Sequence, residues 1–248
     1  MSRPQFHAVA LWAVPRSVST AFEKTFACRA DAAVAHEPFT DCYYFSRDRR
    51  SSRYGRQPDK EAFTAADAAR LMVAGDRPVR FTKDLAFQAE PYLTDEMLAA
   101  VTNTFIVRHP RTVLRSLTPL KPDFTEDEFG FTALHRLFTR VRDAQPVVVD
   151  GDEFRVRPGE VLRDYCGRIG LEFDEAMLHW RDGRIRAWRP DEELSQSKWH
   201  HTLESSHTIL PPTPEGEVEI PAERAGMYER AVEIYREISR FAYRSVTT

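Results

Sequence analysis

The chain has no run of about eighteen apolar residues, so nothing in it predicts a helix that crosses a bilayer. Its first residues, MSRPQF, lack an apolar signal core, and the expected state is soluble and cytoplasmic. Cysteine is scarce: Cys28, Cys42 and Cys166 are odd in number and have no C-x-x-C spacing, which argues against a disulfide framework or a zinc site. Charge of one sign is also missing. A net charge of −3 gives no global pull toward nucleic acid or a membrane surface. No Gly/Ser-rich or Pro-rich linker, repeat or low-complexity tract divides the 248 residues. One domain spanning 1–248, large enough for a substantial core, is therefore expected.

Residues 7–28, HAVALWAVPRSVSTAFEKTFAC, carry the strongest signal. An apolar strand from Ala8 to Val14 stops at Pro15. A polar turn follows with Arg16, Ser17, Ser19 and Thr20, and a helix begins at Ala21. Free N–H groups and the dipole at a helix N-terminus favour an anion, and a guanidinium with hydroxyls adds donors to it. A Walker loop is excluded: no glycine lies between Val14 and Ala21, and Ser19 stands where the Walker lysine would be.

Further strands are expected at 33–35, 79–82, 104–107 and 146–149. Helices are expected at 20–30, 61–74, 94–101, 111–117, 126–143 and 158–169, and a C-terminal amphipathic helix at 221–245. Strands alternating with helices predict an α/β fold, a mostly parallel sheet covered on both faces. Two stretches lack periodicity. Residues 46–60 hold six cations against two acids and read as a mobile basic loop. Residues 183–220, with Trp188, Trp199 and three histidines, read as an irregular segment capping something.

A second anion signal lies in FIVRHPRTVLRSL, residues 105–117. Arg108 ends a strand, and ligands of open α/β sheets bind at the carboxyl ends of strands. Ser116 follows eight positions later on a helix. Together, PRSVST at 15–20 and the Arg108–Ser116 pair resemble the PAPS-dependent sulfotransferases, PAPS being 3′-phosphoadenosine 5′-phosphosulfate. The likeness is greatest to bacterial sulfotransferase-like proteins with a PRS-x-ST loop, here followed by His36-Glu37-Pro38-Phe39, Lys83-Asp84 and the segment 146–171. The resemblance implies a three-layer, P-loop NTPase-like domain with a central five-stranded sheet. It implies a first loop that grips the 5′-phosphosulfate, and Arg108 with Ser116 on the 3′-phosphate. Two positions depart from the pattern: Arg16 replaces a common lysine, and Val18 replaces a glycine that would reach positive φ freely.

On this resemblance the donor is PAPS, leaving PAP, with no metal. The expected donor-site residues are Arg16, Ser17, Val18, Ser19, Thr20, Arg108 and Ser116, with Arg16 also stabilising the departing phosphate. The acceptor hydroxyl or amine needs a base, either Glu37 or His36, with Glu37 preferred. Pro38 is expected to extend Glu37, so that only one of the pair faces the cleft. Lys83 is expected at the transferred group, or in a salt bridge with Asp84 or Glu37. Phe39, Tyr43, Tyr44 and Phe45 suit a flat or apolar acceptor, or core packing, while Trp199 and His200-His201 are candidates to cap the nucleotide. The expected partner is a small-molecule acceptor, with no nucleic acid and no membrane; a homodimer is the one assembly considered. The competing readings are a small-metabolite kinase and a protein that binds a phosphorylated ligand without sulfuryl transfer.

Overall fold

The computed structural model describes residues 6–185, 193–212 and 219–243, with only the backbone for 193–198. Five strands, β1 (His7–Ala13), β2 (Ala32–His36), β3 (Val79–Leu85), β4 (Thr102–Val107) and β5 (Val147–Asp150), form one sheet in the order β2-β3-β1-β4-β5. Every pairing is parallel. The near-continuous apolar run of β1 follows from this position, because a central parallel strand is buried on both faces. Ala10, Trp12 and Val14 enter one core with Phe105 and Val107, while Val9, Leu11 and Ala13 enter the other with Ile106 and Val149. Period-two alternation thus splits one apolar segment between two layers of helices. The expected α/β, P-loop-like architecture is the one observed.

Helix α1 (Ser19–Ala27) follows β1, and α2 (Thr40–Tyr44) follows β2. The latter is too short to show a helical period in sequence. The expected helix at 61–74 starts later, as α3 (Ala65–Val73), because Thr64 and Asp67 close a capping box at its entrance. After β3 come α4 (Ala86–Ala89) and α5 (Asp95–Ala99); after β4 comes α6 (Pro110–Leu117), with Pro110 in its first turn. The helix expected at 126–143 is broken into α7 (Glu126–Phe129) and α8 (Phe131–Val141). Gly130 sits between them at φ 85, and a Cβ there would lie 2.8 Å from Pro15 Cδ, so the break lets the chain pass the first loop.

Past β5, Asp150 accepts from the backbone N–H of Asp152 and Glu153 and starts an unanticipated helix, α9 (Gly151–Val156). Helix α10 (Pro158–Arg168) follows as expected. The segment 183–220 is not irregular throughout, since it contains α11 (Glu193–Glu204). Among its described side chains His200 is buried, while Trp199 and Leu203 pack against different apolar cores rather than forming one stripe. Trp188 lies outside the described residues. The C-terminal helix is shorter than expected, α12 (Ala225–Ile238), flanked by single 3-10 turns. The basic run 46–60 pairs within the chain: Arg53 with Asp123 and Glu128, Arg56 with Glu61, and Lys60 with Asp41. Among the described residues no helix is long and apolar enough to cross a membrane.

Candidate active site

The loop from β1 to α1 makes its turn without glycine. Arg16 and Val18 both adopt left-handed φ, 61° and 71°. For a β-branched residue such as Val18 this conformation is costly, on the order of 1–2 kcal/mol. Val18 stands at the N-cap of α1, where no side chain caps the helix and the first turn carries no acid. The Ser17 hydroxyl is buried and donates to Val14 O at 2.7 Å, so it fixes the loop rather than facing outward. The loop packs so tightly on the start of α9 that a Cβ at Gly151 would lie 2.3 Å from Ser17 O. Ser19 and Thr20 line the cavity that opens beyond the loop.

The structure brings Arg16, Arg108 and Ser116 together. Arg16 Nε donates to Ser116 Oγ at 2.8 Å, and Arg108 Nη1 donates to Arg16 O at 3.4 Å. Asp152 accepts from Arg108 Nε at 2.6 Å. Burial depresses Arg16, and the charge of Arg108 depresses it further. Arginine stays ionised regardless. Two guanidinium groups held near one helix entrance are an arrangement that a bound anion would stabilise.

A cavity of about 540 Å³ runs from this loop toward the edge of the sheet. His36 and Lys83, which are neighbours in the β2–β3 register, both line it, as does Glu37. Here the expectation from Pro38 fails. Glu37 is not extended but left-handed, at φ 45, because the chain turns off β2 directly into α2. Its N–H donates to Lys83 O, its carbonyl accepts from Thr40 N, and Asp84 Oδ2 anchors the turn by accepting from Phe39 N at 2.8 Å. His36 and Glu37 therefore both face the cleft.

The Lys83 ammonium donates to Glu37 Oε1, the Glu37 form of the salt bridge that the sequence left open. Burial pushes the Glu37 carboxyl up, but the charge of Lys83, His36 and the Lys83 hydrogen bond outweigh it and hold it down at about 2. Burial and the Glu37 charge push Asp84 well up, against two backbone N–H donors. Tyr44, Phe45, Tyr54 and Phe63 line the cavity away from the loop; Phe39 and Tyr43 lie in the core, to which Tyr44 and Phe45 also belong.

Two residues of α11 close the same cavity. Arg16 Nη1 donates to Trp199 O at 2.8 Å, and the His200 ring packs edge-on against His36 with centroids 5.5 Å apart. His201 is exposed. Burial first, then the positive field of His36 and Lys83, drives His200 down to about 3. A histidine whose folded value lies below the unfolded value of about 6.5 binds its proton more readily when unfolded. Stability is therefore complete above about pH 6.5 and is lost as pH falls toward 3. Between pH 6.5 and 5 this histidine is expected to cost about 2 kcal/mol. Urea unfolding at the two pH values measures it, and His200→Asn is expected to remove that part of the slope.

Sequence reading missed Glu23. It lies in the buried stripe of α1 with Ser19, Phe22 and Phe26, and its carboxylate meets His36 Nδ1 at 2.7 Å. An acid in the apolar stripe of a helix was the available signal. No group of three or more potential metal ligands occurs among the described residues.

An open, all-parallel α/β sheet with a cationic loop after its first strand defines the class of protein, an α/β fold whose candidate site lies at the carboxyl ends of its strands. The sequence profile of the sulfotransferase-domain family matches residues 7–241, and the chain belongs to that family. Its fold is shared with the sulfotransferase domain from the Synechococcus PCC 7002 olefin synthase, at TM-score 0.50 and 16% identity, covering 95% of this chain and 97% of that one. Two Arabidopsis thaliana proteins are also similar. Branched-chain-amino-acid aminotransferase-like protein 2 is 26% identical over 79% of this chain, and its relative protein 1 is 24% identical over 90%. The chain spans only 35% and 40% of their respective lengths.

Proposed function

We infer that the chain is a sulfotransferase moving a sulfuryl group from PAPS to a hydroxyl or amine of a small-molecule acceptor. The observation that carries this reading is the cavity shared by Arg16, Ser19 and Thr20 on one side and Lys83, Glu37 and His36 on the other. Family membership supports the reaction class. Arg16, Ser19, Thr20 and the backbone N–H groups at the start of α1 would hold the 5′-phosphosulfate, with Arg108 and Ser116 beside them for the 3′-phosphate. The donor supplies an activated sulfuryl group on a phosphate leaving group. The protein's share is to position the two substrates, neutralise charge on the departing phosphate through Arg16, and accept the acceptor's proton. Lys83 is within the same cavity to meet the sulfuryl oxygens. The aromatic end, Tyr44 to Phe63, suits an acceptor with an apolar body.

Calorimetry with PAP is the direct test. PAP is expected to bind without magnesium and far more tightly than ATP with magnesium. Preference for magnesium–ATP would instead indicate a kinase, and no heat with either at millimolar ligand would remove the donor site.

A further inference from the structure

We propose that Glu23 and His36 form the proton-accepting unit of this site, with His36 taking the acceptor's proton and Glu23 positioning His36. The proposal rests on the sulfuryl-transfer reading and names the base within it. Glu23 is fully buried, yet only one of its oxygens is hydrogen-bonded: Oε2 meets His36 Nδ1, while Oε1 has no partner among the described residues. A half-satisfied buried carboxylate is expensive, and a purely structural acid in an apolar stripe would be replaced at a gain. Glu23 is buried on α1 along with Ser19, Phe22 and Phe26, and among the described residues its hydrogen-bond partner is the imidazole of His36.

The geometry gives that charge a use. A carboxylate paired with Nδ1 can only accept, so whenever His36 is neutral Nδ1 carries the proton and Nε2 the acceptor lone pair. His36 lines the cavity beside Lys83. Glu23 lies one helical turn beyond Ser19, so the helix whose entrance faces the donor also aims the base. Glu37, by contrast, is tied to Lys83 and held at about 2, a weak base at neutral pH.

With water as acceptor the step balances. Water oxygen bonds to sulfur, the bond from sulfur to the 5′-phosphate oxygen breaks, and PAP leaves. One water proton passes to His36 Nε2, whose imidazolium is stabilised by Glu23 through Nδ1–H, and the other leaves with the product as hydrogensulfate, which gives it up to solvent. PAPS alone is therefore a usable probe, read as PAP release. Glu23→Gln keeps an oxygen that can accept from Nδ1–H but removes the charge. The expected result is a fall in kcat of about a hundredfold or more with PAP affinity unchanged. His36→Asn should fall similarly, and the double variant no further than either single, as for groups acting as a unit.

Nitrogen-15 NMR of the imidazoles adds a readout independent of turnover, because neutral His36 should carry its proton on Nδ1. A wild-type protein that turns over while Glu23→Gln keeps its kcat overturns the dyad alone, as does an Nε2–H tautomer. A wild-type protein that releases no PAP from PAPS, with water or with added alcohols and phenols, overturns the transfer reading, and the dyad's role with it.

Discussion

Arg16→Ala is expected to weaken PAP binding by about ten- to a hundredfold, the worth of one charge-assisted contact of about 1.5–3 kcal/mol. Turnover should suffer more. Arg16 is the cation of the first loop, and a donor aimed at charge that grows during the reaction is typically worth about 10²–10³ in kcat. Isothermal titration with PAP measures the first effect and PAP release from PAPS the second. Arg16→Lys separates charge from shape. Lysine keeps the charge but cannot hold Ser116 Oγ and Trp199 O simultaneously with the fixed fork that Arg16 uses. Partial recovery of binding with little recovery of turnover is the expected pattern. Arg108→Ala should also weaken PAP binding, and the losses in Arg16 and Arg108 should not add, because Arg108 contacts the Arg16 backbone. Wild-type affinity in both single variants would remove these residues from the donor site.

How this loop was legible in the sequence, and the rest of the site only partly so, has a physical basis. Strand, polar turn and helix entrance are contiguous in residues 7–28, so their chemistry could be read from local order alone. The end of β4 also read well, because a parallel strand buried on both faces finishes as an apolar run that Arg108 stops, whereas β3 was expected to end at Lys83 and instead continues to Leu85. What could not be read was the angle at which β2 ends. Pro38 biases Glu37 toward an extended conformation, but anchoring of Phe39 N by Asp84 turns the chain and leaves Glu37 at φ 45. That tertiary hydrogen bond spans 45 residues and has no local trace. Helix α11 was missed for a related reason: Arg16 to Trp199 O and His36 to His200 join it to distant elements, and Trp199 and Leu203, its apolar contacts, pack against two different cores. Periodicity arguments detect helices through apolar stripes, and a helix that docks on an active site need not have one.

The Lys83–Glu37 pair is expected to give the largest single effect on stability. Lys83 is buried and Glu37 nearly so, and breaking a buried ion pair from one side typically costs about 3–5 kcal/mol because the other charge is stranded. Lys83→Met should therefore destabilise the protein strongly at pH 7, measured by urea unfolding. Adding Glu37→Gln should recover much of the loss, since an uncharged pair of similar volume avoids the stranded carboxylate. The pH dependence should change sign. In the wild type the folded Glu37 lies at about 2, below its usual 4.5, so its contribution is complete above about pH 4.5 and disappears as pH falls toward 2. Without Lys83, the ammonium charge and hydrogen bond that hold the carboxyl down are gone, and burial raises it instead. The deficit of Lys83→Met relative to wild type should then shrink on acidification as Glu37 takes up a proton. A deficit independent of pH would mean that Lys83 acts through packing alone. The same coupling bears on function. An ammonium neutralised by Glu37 in the free protein costs little to keep buried, and becomes available to sulfuryl oxygens only when ligand charge competes with the carboxylate. Glu37→Gln should consequently release Lys83 early and strengthen binding of inorganic sulfate in the cavity, whereas a direct role for Glu37 as proton acceptor predicts no such gain.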